Sequence, residues 1–350
     1  MPEIRYRNRR AVQMENECLR LTVLAEGGHL AELLHKTAGV NPLWAPPWPS
    51  IEPSTYDRAR HPEYGCDAES KLLAGIMGHN LCLDTFGGPS PEEAAAGMTV
   101  HGEAPVAPFR ITESGDELIA AADLPAARLG FERRIRLEGA WVRITETVEN
   151  RSPLDRPVAW TEHVTIGPPF LEKGATQLRT PATRSKVFEA PFGDAAYMLP
   201  GAEFDWPFVP RMDGGTSDLR VYTQAAASGG FTAHLMDPRR EKAFFFAWSP
   251  RTRVLLGYIW TRADFPWLSL WEENLSRTEP PWNGATLTRG IEIGASPMPE
   301  TRRQMIERGR LFGTTCYRWI PARTKVRLEY SAFLTTADAI PETLEDLHVP

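Results

Sequence analysis

Three titratable side chains, each beside strand-like sequence, define the chemistry open to this chain. They are His101 in Thr99-Val-His-Gly-Glu-Ala-Pro105, His163 in Trp160-Thr-Glu-His163, and Glu292 in Arg289-Gly-Ile-Glu-Ile293. Two imidazoles and a carboxylate around one small pocket can lift a proton from one oxygen and deliver one to another, which is general acid–base catalysis. The glycine after His101 lets a ligand come close to the backbone. Strand alternation puts Trp160, Glu162 and Val164 on one face and Thr161, His163 and Thr165 on the other. A Thr-His-Thr face inside a sandwich is either a hydrogen-bonded core site or the floor of a ligand cleft. Glu292 lies between two isoleucines, where a carboxylate is expensive to bury unless paired. Partial desolvation would raise its proton affinity and suit it to act as a base, while an ion pair with Arg289 or Arg302 is the plain alternative.

Further candidates surround these three. Glu272 and Glu273 in Leu270-Trp-Glu-Glu-Asn274 compete with Glu292 as the base and are expected to face the pocket. Glu103 is placed to orient His101 or to contact a hydroxyl. Trp44, Trp48 and Trp160, from an unusually Trp-rich chain of 11, are candidates for stacking on the C–H face of a pyranose. Arg289 and Arg318 are candidates to read a phosphate or a carboxylate.

The elements that must position these groups read as strands. Residues 11–24 form a strand pair, Gly27-Gly28 breaks the run, and 29–34 resumes it, since paired glycines inside a helix would be costly. Strands are expected at 109–113, 117–123, 130–138, 141–150, 158–166, 231–236, 242–249, 253–260 and 324–334. Val142–Val148 alternates as a strand with one face buried. Segment 299–310 is expected to be helical, with Met305 and Ile306 on its buried side, and short helices are possible at 70–77 and 91–96. Residues 41–100 read as a loop-rich insertion: Pro, Trp and Gly are frequent and no periodic element stands out between 55 and 100. Its apolar content indicates order, and it is expected to form one wall of the pocket. Strands spaced by about ten residues predict an all-β fold, a large antiparallel sandwich with few short helices, and one domain over 1–350.

The totals exclude several classes. A formal charge of −6 with scattered arginines leaves no basic footprint for nucleic acid. No apolar run spans a bilayer and the first residues carry no secretory h-region, so a cytoplasmic protein without a membrane partner is expected. The four cysteines form no CxxC pair and read as reduced and mostly buried. Neither a P-loop nor a GxGxxG occurs, so no nucleotide, metal or other cofactor is expected. The sequence leaves the oligomeric state open.

In order along the chain, the early Gly27-Gly28, His101-Gly102, the strand histidine His163 and the late Glu292 on a Gly-bounded strand resemble the galactose mutarotase (aldose 1-epimerase) superfamily over roughly residues 12–335. The resemblance implies a β-supersandwich and cofactor-free interconversion of the α and β anomers of an aldose. By position, His163 would protonate the ring oxygen, Glu292 would take the anomeric hydroxyl proton, and His101 would position the ring. The chain reads Glu162-His163 where that family has Asn-His, and Glu292-Ile-Gly where it has Glu-Pro-Gln. Anomerisation needs a base at O1 and an acid at O5, expected on opposite sides of the ring. The competing readings are a non-catalytic carbohydrate-binding or regulatory protein on the same fold, and an epimerase or lyase acting on a modified sugar. A cupin-like metal enzyme fits poorly, since no second histidine stands two residues after His101.

Overall fold

Alternation in Trp141–Asn150 shows how the architecture arises: Val142, Ile144, Glu146, Val148 and Asn150 are buried while their neighbours are half-exposed. Such a strand needs a second layer on one side only. The computed structural model, which describes residues 3–349, supplies it as two large antiparallel sheets packed face to face. This is the all-β sandwich anticipated above.

The smaller sheet has eight strands, in the order Gln177–Arg179, Lys242–Trp248, Val254–Thr261, Lys325–Thr336, Trp141–Asn150, Leu129–Glu138, Glu117–Leu124 and Arg110–Ser114. The larger sheet has twelve strands. Its centre runs Leu30–His35, His79–Asp84, Arg156–Ile166, Leu287–Gly294, Trp267–Asn274 and Ser228–Met236. Most of these central strands are buried on both faces. One face meets the smaller sheet, and the other is roofed by Trp44, Leu72, Leu73, Ile76 and Phe86, which flank the strand His79–Asp84 in sequence, and by residues of 298–316. Double coverage explains why His79–Asp84 carries no alternation and reads as loop from sequence, although it is a central strand.

Between the sheets lie Trp160, Val164, Ile291, Ile293, Leu268 and Leu270, facing Leu118, Phe131, Ile135, Ile144, Tyr258 and Tyr330. A charged network is set into this apolar layer. Arg133 donates to Glu146 and to Glu162, at 2.6 Å each. The Tyr330 hydroxyl reaches the same two carboxylates at 2.9 and 3.0 Å, and Trp160 Nε1 donates to Glu146 at 3.1 Å. His79 lies 2.7 Å from Glu162 and 3.1 Å from the Tyr258 hydroxyl. Burial holds His79 well below the usual imidazole range, with Arg133 adding to the effect. The neutral ring therefore donates Nε2–H to Glu162 and accepts from Tyr258. Burial also raises the Glu146 carboxyl to about 7, against the pull of Arg133.

The helices are short. Ser70–Leu73 and Pro91–Ala95 fall where short helices were possible, and Arg302–Arg308 lies within the expected 299–310. In that last helix Met305 is buried but Ile306 is 43% exposed, because consecutive helical residues point about 100° apart. Of the four cysteines only Cys82 and Cys316 are buried; Cys66 is exposed and Cys18 intermediate, and all are free thiols. Among the described residues no helix is long and apolar enough to cross a membrane.

Candidate active site

The register of the large sheet decides which residues can meet. His163 pairs with Asn80 on one side and with Glu292 on the other, and Glu292 pairs with Ser269. These four residues form one row across four neighbouring strands, so their side chains leave the sheet on the same face. That face is the one turned away from the smaller sheet. It forms the floor of a cavity of about 190 Å³, lined by His101, His163, Glu292, Trp271 and Arg277 among others.

His163 Nε2 lies 3.0 Å from Glu292 Oε1. The approach is not aligned as a hydrogen bond, and neither Glu292 oxygen has a hydrogen-bond partner among the described residues. The carboxylate folds over Gly290, where a β-carbon would collide with Oε1, so the glycine in Gly290-Ile-Glu292 makes room for the acid. On its other side His163 Nδ1 is 2.9 Å from the Thr165 hydroxyl. A hydroxyl accepts from the Nδ1–H of an imidazolium and donates to the bare Nδ1 of an imidazole, so Thr165 suits both charge states of the ring.

His101 reaches the site on a loop in a conformation that non-glycine residues avoid, φ 69°. Its backbone is held at both ends: the amide donates to Gly87 O and the carbonyl accepts from Leu83 N, both at 3.2 Å. Gly102 follows at φ 86° against the Leu83 carbonyl, leaving no space for a side chain. The ring is fixed by Nδ1, 2.7 Å from the Phe86 carbonyl. A carbonyl only accepts, so Nδ1 carries the proton and Nε2 is a bare acceptor. Burial lowers this histidine to about 3, with the nearby His163 adding to the effect. His101 is therefore a neutral acceptor and no acid. Its ring centroid stands 5.0 Å from that of His163.

The walls are aromatic. Trp271 lies edge-on to His163 at 5.8 Å, and its Nε1 is buried with no hydrogen-bond partner. Trp282 lies against Trp271 at 5.8 Å and stacks on Trp44 at 6.3 Å, with Trp48 edge-on to both Trp44 and Trp282. Arg277 lies over the Trp282 ring at 4.6 Å and binds both oxygens of Glu69 at 3.3 Å. Asn80, next to His163 in the row, has neither side-chain oxygen nor nitrogen partnered. A buried polar atom without a partner costs stability, and the two Glu292 oxygens and Trp271 Nε1 are such atoms on residues that line the cavity, whereas Asn80 lies outside its lining.

Of the residues singled out from sequence, His101, His163 and Glu292 line this cavity together. The others do not. Trp160 points into the inter-sheet core, as its place in the alternation with Glu162 and Val164 requires, and it hydrogen-bonds Glu146. Glu272 and Arg289 leave the sheet on the opposite face from Trp271 and Glu292; Glu272 accepts from the Ser228 hydroxyl at 2.7 Å and Arg289 donates to Leu219 O at 2.7 Å. Glu273 is on the correct face but caps a turn by accepting from the Ser276 and Arg277 amides, at 2.6 and 3.1 Å. Glu103 accepts from the Ala126 and Ala127 amides and does not touch His101. Trp44 and Trp48 buttress Trp282 and do not line the cavity. Arg318 pairs with Asp264 elsewhere. Sequence reasoning missed Trp271, Trp282, Arg277 and Glu69. Trp271 had a usable signal, since it alternates with the already suspect Glu272, whereas Arg277 and Trp282 come from a loop whose path no periodicity reveals.

No family model and no curated protein sequence matches this chain. Solved structures do match in fold. A Klebsiella pneumoniae protein provisionally named aldose 1-epimerase superposes with a TM-score of 0.67 at 13% identity, over 95% of this chain and 80% of that one. An Escherichia coli protein with the same provisional name gives 0.61 at 10% identity, over 93% and 99%. A galactose mutarotase-like protein from Clostridium acetobutylicum gives 0.60 at 10% identity, over 96% and 98%. At such identities the likeness is one of fold.

Proposed function

We propose that a chain with this galactose mutarotase-like fold is an aldose 1-epimerase-like isomerase, which opens and recloses one sugar ring at the row His163–Glu292. The observation that carries the reading is the arrangement of donors and acceptors around one cavity. Glu292 offers two unpartnered carboxylate oxygens and sits 3.0 Å from His163 Nε2, with the bare His101 Nε2 nearby.

A hemiacetal presents a hydroxyl donor at O1 and an ether acceptor at O5, both bonded to C1. Acid and base standing side by side, as adjacent residues on paired strands do, can reach both oxygens, an arrangement different from the opposite sides expected from sequence. Glu292 takes the O1 proton. The O1 electrons form the C1 carbonyl as the C1–O5 bond breaks, and the His163 imidazolium gives its Nε2 proton to O5. Rotation about C1–C2 and the reverse transfers close the ring on the other face and return both protons. His101 accepts from a ring hydroxyl, and Trp271 Nε1 donates to an oxygen. Aromatic walls supply the contact area that a pyranose C–H face needs. Two-dimensional proton exchange NMR on α and β anomers of an aldose panel tests the reading. Faster anomer exchange with the protein supports it, and binding without any acceleration refutes it in favour of a carbohydrate-binding protein.

A further inference from the structure

The polarity of the cavity is segregated, and that segregation bears on which sugar fits. The inference rests on the proposed anomerisation site, since it takes C1 and O5 to lie at the His163–Glu292 floor. Around that floor the groups able to meet oxygen are His101, His163 and Glu292, with Arg277 and Glu69 the other charged side chains of the lining. Most of the remaining wall is hydrocarbon, supplied by Phe86, Phe192, Phe231, Trp282, Leu73 and Pro299. A hydroxyl pressed against them gives up water and gains no partner, whereas a methyl group there is matched.

Charge points the same way. Besides the His163 imidazolium of the proposed mechanism, which is committed to O5, Arg277 is the cation among the side chains that line the cavity, and its charge is already engaged. Its Nη1 contacts both oxygens of Glu69 at 3.3 Å, its Nε is 3.8 Å from Glu273, and its guanidinium lies over Trp282. A sugar with an anionic exocyclic group would meet the Glu69 carboxylate away from the floor, where Arg277 is already paired and His163 is committed to the ring oxygen, an arrangement that repels one class of ligand while accepting another. The volume of about 190 Å³ holds a single ring. The exocyclic C6 group, which projects beyond the ring, must then lie against a wall.

We infer that the site selects an uncharged aldose with an apolar exocyclic group, a 6-deoxyhexose, and rejects the corresponding 6-phosphate and uronate. The selection is made by the apolar wall and by the spent Arg277–Glu69 pair at the rim.

Two parallel readouts on the full chain test this: anomer exchange by NMR and binding by calorimetry, each with 6-deoxyglucose, glucose, glucose 6-phosphate and glucuronate. The expectation is that 6-deoxyglucose exceeds glucose by about 10-fold and the two anions by about 100-fold, in kcat/KM and in affinity. Glu69→Gln frees Arg277 and should narrow the gap between 6-deoxyglucose and glucose 6-phosphate by about 10-fold. If no sugar is anomerised but the calorimetric ranking holds, the catalytic reading fails and the selectivity stands. A ranking in which glucose 6-phosphate or glucuronate equals or beats 6-deoxyglucose overturns the inference. So does a wild type that binds none of the four, and so does a Glu69→Gln variant whose ranking is unchanged.

Discussion

His163 and Glu292 are cross-strand partners in register, with Nε2 and Oε1 3.0 Å apart, and the Thr165 hydroxyl holds the far nitrogen of the same ring at 2.9 Å. A histidine whose Nδ1 is held by a hydroxyl has its ring plane fixed before a ligand arrives, with Nε2 left beside the carboxylate. Pre-set geometry of this kind removes orientational entropy from the reacting state. The first expectation concerns that contact. Thr165→Val removes the hydroxyl that holds Nδ1, so anomer exchange should fall by about 3- to 10-fold. Thr165→Ser should restore it. An unchanged rate in the valine variant would show that Thr165 serves packing alone.

Trp271 offers a test that separates binding from folding. Its Nε1 is buried and has no hydrogen-bond partner among the described residues, so Trp271→Phe keeps an aromatic ring, removes an unsatisfied donor and gives up part of the indole's packing. The relieved desolvation cost and the lost packing oppose each other, so stability of the free protein should fall by no more than about 1 kcal/mol. Sugar affinity should fall by about 5-fold or more. Urea denaturation and calorimetric titration measure the two effects, and loss of stability with unchanged affinity would contradict the assignment.

Acid stability follows from the buried histidines. Burial is the main cause that lowers His29, His101 and His234 to about 3 and His79 well below its ordinary value. The unfolded chain binds these protons near pH 6.5 and the folded one does not. Stability from this source is therefore complete above pH 6.5 and is lost as pH falls from 6.5 toward 3. Each histidine contributes a slope of up to about 1.4 kcal/mol per pH unit in that window. Glu146, raised to about 7, opposes this between 4.5 and 7, since its folded form keeps a proton that the unfolded form releases. Glu272 and Glu273, also raised by burial, act in the same direction as Glu146, and His35, lowered by burial, joins the other histidines; five groups against three leave a net loss in acid. Thermal midpoints measured from pH 8 down to pH 4 should fall steadily, and a flat profile would contradict these protonation states.

The inter-sheet network predicts a large mutational effect remote from the cavity. Arg133→Met leaves Glu146 and Glu162 buried without their cation. Breaking a buried ion pair by deleting one partner costs about 3–5 kcal/mol. Denaturant midpoints report the loss, and a change below about 1 kcal/mol would mean that Tyr330 and His79 suffice for both carboxylates.

Much of this was legible in the sequence where one face of a strand is wet. Trp141–Asn150, Glu117–Leu124 and Lys325–Thr336 lie within a residue or two of their expected limits because alternation marks them. His163 was legible from the residue types of its own strand, Thr161, His163 and Thr165 against Trp160, Glu162 and Val164, although both faces of that strand are buried, and that alternation already excluded Trp160 from its face. His79–Asp84 was not legible because both of its faces are covered and every residue is buried. The choice among Glu272, Glu273 and Glu292 was not legible either. It depends on register between strands distant in sequence, and one residue of shift exchanges the faces. Arg277, Trp282 and Glu69 belong to loops, whose course is set by tertiary contacts.

The central claim is that His163 and Glu292 form one proton-transfer unit. Its most direct measurement is the NMR anomer exchange rate on a neutral aldose for wild type, His163→Asn, Glu292→Gln and the double variant, each checked for native circular dichroism. Each single substitution should lower the protein-dependent rate by about 10²-fold or more, and the double variant should lose little beyond that, because the residues of one catalytic unit are not additive. Wild-type rates in either single variant, or a double variant that multiplies the two single losses, would contradict the account.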